Sequence, residues 1–165
     1  MHTTAPDAAG NGWIRWPRMT GATLVPELYC SDIERSVRFY VDLLGFRVRF
    51  ARPEERFVYL DREGAEMMLE EPTTRILVSA ELVHPYGRGV NFQIEVADVA
   101  TLYAKVKVSR WPVFLELEDR WYRQDELEWG NRQFVIQDPD GYLLRFFEDL
   151  GSRTAATSLP PGRPA

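Results

Sequence analysis

The sequence contains one cysteine, two histidines and no long apolar run, and each shortage excludes a class of protein. Cys30 cannot form an intramolecular disulfide, and a single cysteine cannot build a thiolate zinc cluster. No apolar stretch approaches the roughly 20 residues needed to cross a bilayer, so we expect no membrane partner. The first residues have neither a basic patch nor an apolar signal core, which favours a cytoplasmic location.

Clusters of basic residues are also missing. The chain has 20 Lys and Arg against 25 Asp and Glu, which gives a formal net charge of −5 at pH 7. Because such a field repels phosphate backbones, we expect no nucleic acid partner.

The 165 residues suffice for one globular unit with a hydrophobic core and are too few for two large domains. Both ends are polar, or rich in Gly and Pro, and show no hydrophobic period. We therefore expect a flexible N-terminal extension over residues 1–22, a single domain over residues 23–150 and a disordered tail over residues 151–165.

Residues 23–71 carry the pattern of one strand, one helix and three further strands. After a predicted strand at residues 23–29, Ser31 and Glu34 have the spacing of a capping box at a helix start. Apolar residues then recur at helical spacing as far as Leu44, and Gly45 stands where a left-handed helix stop is wanted. The β-rich runs FRVRFA, RFVYLD and AEMMLEE follow, separated by turn residues. This order predicts a βαβββ module.

The same order recurs over residues 89–148, after a linker at residues 72–88. VNFQIEV is a predicted strand, Asp98 caps a predicted helix, and PVFLELE, RQFVIQ and YLLRFFE are predicted strands. The last two are joined by Asp138-Pro139-Asp140-Gly141, a strong turn signal in which we expect both aspartates to be structural. The segment EDRWYRQDELEWG is interpreted as a long connection between the sixth and seventh strands. The sequence thus predicts an α+β fold of two βαβββ modules.

Two stretches, SDIERSVRFYVDLLGF and ELEWGNRQFVIQDPDGYLLRF, resemble the glyoxalase, bleomycin-resistance and extradiol-dioxygenase superfamily. The second is closest in pattern to bleomycin-resistance-like proteins. The resemblance implies two curled mixed sheets around a cavity, commonly completed by dimerisation, so we expect a homodimer. Pro26 agrees with an edge position for the first strand, because proline cannot donate a ladder hydrogen bond.

The resemblance also implies three positions at which metal-dependent members carry their ligands. These positions hold Val25, Asn91 and Arg145 in this chain. Valine has no donor atom, asparagine is a weak neutral ligand and arginine is a permanent cation, so we predict no metal and no other cofactor. Glu27 lies two residues after Val25 on the same strand face, which leaves a shifted carboxylate site as an alternative.

Period-two alternation from these positions predicts which side chains face the cavity. Trp121 and Phe147 are the predicted stacking surface, because exposed aromatic area on a connection can mark an interaction site. The alternative is that the segment around Trp121 is a lid packed on its own protein or a dimer contact. The predicted ligand-binding residues are Glu27, Tyr29, Glu66, Glu70, Asn91, Gln93, Glu95, Trp121, Arg145 and Phe147.

The predicted lining has four carboxylates and one guanidinium, and it permits two interpretations. The surplus negative charge can receive a cationic, partly planar ligand by charge pairing and cation–π contact. Alternatively, Arg145 pairs internally with Glu27 or Glu95 while Glu66 and Glu70 stay hydrated at the rim, since an unpaired buried carboxylate is costly.

Three hypotheses of function follow. The first is a metal-independent small-molecule-binding protein that sequesters a cationic or aromatic ligand in an acidic groove, with no catalytic residues. The second is a lyase or oxidoreductase of the glyoxalase or dioxygenase type, using a displaced metal site or Glu27 as a general base. The third is a dimeric interaction module whose cavity is filled by side chains.

Overall fold

The structure is a computed structural model that describes residues 21–73 and 76–155. Most of the predicted N-terminal extension and the last ten residues of the predicted tail lie outside this range. No helix of the described residues is long and apolar enough to span a membrane.

The first module contains four strands and one helix. Its elements are β1 (Glu27–Tyr29), α1 (Ile33–Val37), β2 (Arg47–Arg52), β3 (Phe57–Arg62) and β4 (Ala65–Glu70). The chain continues from α1 as one wider π-helical segment over Arg38–Leu43, and Gly45 follows with a φ of 76° as the predicted left-handed stop.

The second module repeats this order with longer strands. Its elements are β5 (Asn91–Glu95), α2 (Val99–Val108), β6 (Val113–Gln124), β7 (Leu127–Gln137) and β8 (Leu143–Thr154).

Aspartates begin both helices. Asp98 accepts a hydrogen bond from the backbone N–H of Thr101 at 2.9 Å, as predicted. In the first helix the cap is Asp32, which accepts from the N–H of Arg35 at 2.9 Å, and the expectation of a Ser31 cap was wrong by one position. An aspartate at this position satisfies one of the free N–H groups of the first turn.

Each module forms one four-stranded mixed sheet. The strand orders are β1-β4-β3-β2 and β5-β8-β7-β6, with β1/β4 and β5/β8 parallel and the other pairs antiparallel. The strands of the second module are arranged in the same order as the corresponding strands of the first, so the predicted fold of two βαβββ modules is confirmed.

The interpretation of residues 118–130 as a long connection was wrong. Strands β6 and β7 continue into a hairpin whose turn holds Asp125 at a φ of 55°. Cross-strand ion pairs join Arg132 to Asp119 at 2.7 Å and Arg153 to Glu128 at 2.7 Å, so charged residues stabilise a ribbon that is exposed on one face. Strand β8 also runs to Thr154, four residues past the expected end of the domain.

The turn between β7 and β8 joins the two modules. Asp138 accepts hydrogen bonds from the Tyr40 hydroxyl at 2.9 Å and from the backbone N–H of Tyr142 at 2.8 Å. Asp140 accepts from the N–H of Ser31 at 3.0 Å. Burial raises the pKa of Asp138 to about 6, despite these donors. Both aspartates therefore serve the fold, and the core extends across the junction.

The helices cover one face of each sheet. Alternate strand residues such as Leu28, Leu69, Ile94, Leu144 and Phe146 are buried in the continuous core beneath them. The intervening residues point to the opposite face, called here the groove face, and this face positions the candidate sites.

Candidate functional site

A cavity of about 400 Å³ lies on the groove face of the first sheet. We call it the acidic groove. Three of its lining residues carry carboxyl groups and one carries a guanidinium. The lining residues are Glu27, Tyr29, Arg52, Glu55, Glu70, Thr73 and Leu77.

Glu27 and Glu70 meet inside the acidic groove. The parallel register places Glu27 beside Met68 and Tyr29 beside Glu70, so the two glutamates are diagonal neighbours on one face. Desolvation raises the pKa of Glu70 to about 7, with further contributions from a hydrogen bond to Glu27 and from the Glu27 charge. With this pKa, Glu70 carries a proton for about half of the time near neutral pH, beside the carboxyl group of Glu27.

A row of aromatic rings packs beside the acidic groove. The ring of Phe50 lies 5.1 Å from that of Tyr59 and 5.9 Å from that of Phe57, measured between centroids. The guanidinium of Arg52 lies 3.6 Å from the centroid of Phe57 and forms an ion pair with Glu55. The three rings lie beside the groove and not in its lining, and Phe57 and Tyr59 are buried.

Tyr29 takes part in the wall of the groove. Its hydroxyl accepts a hydrogen bond from the backbone N–H of Leu77 at 2.7 Å. This contact holds the described part of the linker against the end of β1, so the groove is closed on that side by main chain.

Glu66 is on the same strand as Glu70 but has a different environment. Its side chain is buried, forms a salt bridge to Arg49 at 2.6 Å and accepts from the Tyr59 hydroxyl at 2.5 Å. The expectation that Glu66 stays hydrated at the rim was therefore wrong. A paired buried carboxylate of this kind is structural, because losing either partner would leave it unsatisfied.

A second cavity, of about 380 Å³, lies on the groove face of the second sheet. We call it the second groove. Two of the predicted residues, Gln93 and Arg145, lie here and not with the glutamates. The lining residues are Gln93, Tyr122, Arg123, Gln124, Trp129, Asn131 and Arg145. The predicted single lining is thus divided between two grooves.

Arg145 has no ion pair among the described residues. Its Nη1 donates to the Tyr122 hydroxyl at 3.4 Å, and its Nε is buried without a hydrogen-bond partner. The alternative in which Arg145 pairs with Glu27 or Glu95 is therefore wrong. Asn91, Glu95 and Phe147 lie on the groove-face side of their strands but outside the lining of both cavities.

Trp121 lies on the face opposite the second groove. The guanidinium of Arg153 stacks on its ring at 3.9 Å, and its ring edge is close to Gly130. Its neighbour Tyr122 and the cross-strand residue Trp129 line the groove instead. The expectation of a Trp121 stacking surface was wrong, because it assumed a connection where the structure has alternating strands. Period-two counting through residues 118–130 would have found Tyr122 and Trp129.

The residues at the family's metal positions do not fit a divalent cation. Val25 precedes β1, Asn91 lies outside both linings, and Arg145 brings a guanidinium into the second groove. A separate group of close acidic residues, Asp32, Glu34 and Glu71, occurs elsewhere in the described chain.

Arg56 accounts for that acidic group. It forms ion pairs with Glu34 at 2.7 Å and Glu71 at 2.6 Å, and it holds the pKa of Glu71 below its usual range. Asp32 is the helix cap. The group therefore provides no support for a shifted metal site built on Glu27.

Comparison with known proteins gives one family. The model of the Glyoxalase/Bleomycin resistance protein/Dioxygenase superfamily matches residues 22–146. Bleomycin resistance proteins of Geobacillus stearothermophilus and Staphylococcus aureus are 28% identical over 137 residues, covering 78% of this chain and 97% of theirs.

Solved structures agree with the fold. The chain resembles TioX from Micromonospora sp. ML1 with a TM-score of 0.63 and 25% identity, covering 79% of this chain and all of TioX. A lactoylglutathione lyase from Agrobacterium tumefaciens gives a TM-score of 0.53 at 18% identity, covering 77% of this chain and 92% of that one. At that identity the likeness concerns the fold alone.

Proposed function

Because the chain belongs to the glyoxalase/bleomycin resistance protein/dioxygenase superfamily, we propose that it binds a small cationic, partly planar ligand in the acidic groove and sequesters it unchanged. The proposal needs no metal or other cofactor. It includes a cytoplasmic location and a homodimer. The observation that carries it is the Glu27–Glu70 carboxyl pair inside the groove.

The carboxyl pair favours a cation for an electrostatic reason. Two glutamates in a partly desolvated groove repel each other once both are ionised, and a proton on Glu70 relieves that repulsion. A cationic ligand group between them supplies the same relief and leaves both carboxylates ionised. Binding of a cation therefore releases a proton, and the groove discriminates against anions.

The aromatic row gives the ligand its shape. The partly exposed ring of Phe50 lies beside the groove, packed against the buried rings of Phe57 and Tyr59, and planar cations gain from stacking on exposed aromatic area of this kind. Arg52 already stacks on Phe57 with its own guanidinium at 3.6 Å, so the surface accepts a planar cation of this chain.

The relatives support sequestration as the consequence of binding. Bleomycin resistance proteins match this chain over 97% of their length. Protection by sequestration requires affinity and excess protein, and it requires no turnover.

An enzymatic alternative has one supporting observation. A carboxyl group with a pKa of about 7 suits proton abstraction at neutral pH, and this value belongs to Glu70, whereas the sequence pointed to Glu27. Turnover of a ligand that is lost in Glu70→Gln would support this alternative.

The binding proposal is tested by isothermal titration calorimetry with bleomycin and with benzamidine, a planar aromatic cation. We expect saturable binding that weakens with salt and weakens about tenfold or more in Glu70→Gln, the loss typical of a hydrogen bond to a charged group. Glu126→Gln removes the same charge from the exposed turn of the β6/β7 hairpin and serves as the matched control. Equal affinity of both variants for both probes would reject the proposal.

A further inference from the structure

We propose that the second groove is a separate binding site for an anionic group, namely the carboxylate of a planar aromatic acid. The inference is independent of the function proposed for the acidic groove. It rests on a guanidinium whose buried Nε has no hydrogen-bond partner among the described residues, on an amide with no hydrogen bond to another described residue, and on the aromatic rings beside them.

Arg145 supplies the positive charge. Its only hydrogen bond to a described residue is the 3.4 Å contact from Nη1 to the Tyr122 hydroxyl, and its Nε is buried without an acceptor. A buried N–H of a charged group is costly to leave unpaired. The fork formed by the remaining donors matches the two oxygens of a carboxylate.

Asn131 supplies a second polar group that is available to a ligand. Its side chain is only 9% exposed, it lines the groove, and its amide forms no hydrogen bond to another described residue. Gln93 lies beside Arg145 in the parallel register of β5 and β8, so its amide reaches the same space. A largely buried amide such as that of Asn131 is normally hydrogen-bonded, and a ligand or solvent atom in the groove can complete it.

Tyr122 fixes the direction of the guanidinium. Its hydroxyl donates to Oε1 of Gln133 at 3.0 Å, and Nε2 of Gln133 donates to Glu118 at 3.0 Å. Because the Tyr122 hydroxyl donates its proton to Gln133, its oxygen is left to accept the hydrogen bond from Arg145. Tyr122 is therefore a positioning residue, and it leaves the donors of Arg145 for a ligand.

The charge of the second groove is opposite to that of the acidic groove. No described residue in its lining is an aspartate or glutamate, and Arg123 adds a second cation. An anion is therefore attracted to the second groove and repelled by the acidic groove.

Aromatic rings define the rest of the ligand. Trp129 and Tyr122 remain 42% and 39% exposed on the groove face, as large rings that no described residue covers fully. A flat aromatic acid can place its carboxylate on Arg145 and its ring against Trp129.

Calorimetry with 2-naphthoate tests the proposal, with the neutral 2-naphthamide as the matched ligand. We expect saturable naphthoate binding, at least about tenfold weaker binding of the amide, and a loss of at least about tenfold for Arg145→Gln. Arg145→Lys should recover part of the affinity, because it restores the charge without the fork. Arg132→Gln is the control, since Arg132 is the strand neighbour of Asn131 on the other face and pairs with exposed Asp119.

Equal affinities of Arg145→Gln and Arg132→Gln for naphthoate would overturn the proposal, and so would naphthamide binding as tightly as naphthoate. The comparison of the two ligands uses the unchanged protein and therefore does not depend on whether a variant folds. Benzamidine reports on the acidic groove and naphthoate on the second groove, so failure of one proposal is distinguishable from failure of the other.

Discussion

The carboxyl groups of Glu27 and Glu70 share a hydrogen bond across the parallel strands β1 and β4. Glu66, on the same strand as Glu70, is instead held by Arg49 and Tyr59. The carboxyl groups of Glu66 and Glu70, both on β4, therefore have different roles. The Glu66 group stabilises the sheet, and the Glu70 group is available to a ligand.

The first prediction concerns stability against pH. The pKa of Glu70 is raised from 4.5 to about 7 in the folded protein. The protonated group therefore contributes to the free energy of unfolding in full below about pH 4.5, and this contribution is lost as pH rises through about 7. Glu70→Gln removes this loss. We expect the variant to match the wild type at pH 5 and to exceed it at pH 8 by about 1 kcal/mol, a value reduced for solvent screening.

Chemical denaturation at the two pH values measures this difference. Glu126→Gln, in the exposed hairpin turn, should show the same offset from the wild type at both. A stability gain in Glu70→Gln that does not change between pH 5 and pH 8 would disprove the raised pKa of Glu70.

The second prediction concerns the junction between modules. Tyr40→Phe removes the hydroxyl that donates to Asp138 at 2.9 Å in a fully buried site. We expect a loss of about 1–2 kcal/mol in the free energy of unfolding, with ligand binding unchanged, because Asp138 keeps its backbone donors. Tyr86→Phe is the control, since the Tyr86 ring packs at the edge of the core with no hydroxyl contact to a described residue. Equal stability of the two variants would show that the Tyr40–Asp138 bond contributes nothing.

The third prediction separates two tryptophans of one hairpin. Trp129→Leu should weaken binding of 2-naphthoate by about fivefold or more, because the ring lines the second groove. Trp121→Leu should leave that affinity within about twofold, because its ring stacks with Arg153 on the other face. Titration calorimetry of both variants checks this. A larger loss of affinity in Trp121→Leu than in Trp129→Leu would contradict the assignment of the groove to the Trp129 face of the sheet.

The fold was predictable to a greater extent than the site. The turn of residues 138–141, the Asp98 cap and the recurrence of one element order were enough to predict both modules. The second groove was harder, because charged residues in the β6/β7 hairpin hid the alternation that places Tyr122 and Trp129 on one face. The different fates of Glu66 and Glu70 depend on Arg49 and Tyr59, which come from other strands. Side-chain pairs between strands that are distant in sequence cannot be predicted from the alternation of residues along one strand.

The fourth prediction concerns assembly. Each sheet has two edge strands among the described residues, and an exposed edge favours pairing with a second copy. We expect light scattering to give twice the chain mass of 19.1 kDa at micromolar concentration. A monomer mass at that concentration would contradict the homodimer.

The central claim is that a bound cation replaces the proton that Glu70 carries beside Glu27. Calorimetric titration of benzamidine near pH 6.5, repeated in buffers of different ionisation enthalpy, measures the protons released on binding. With the pKa of Glu70 at about 7, we expect release of a substantial fraction of one proton, which falls towards zero at pH 8.5 and is absent in Glu70→Gln. Benzamidine binding with no proton release at pH 6.5, or with the same release in Glu70→Gln, would contradict the account.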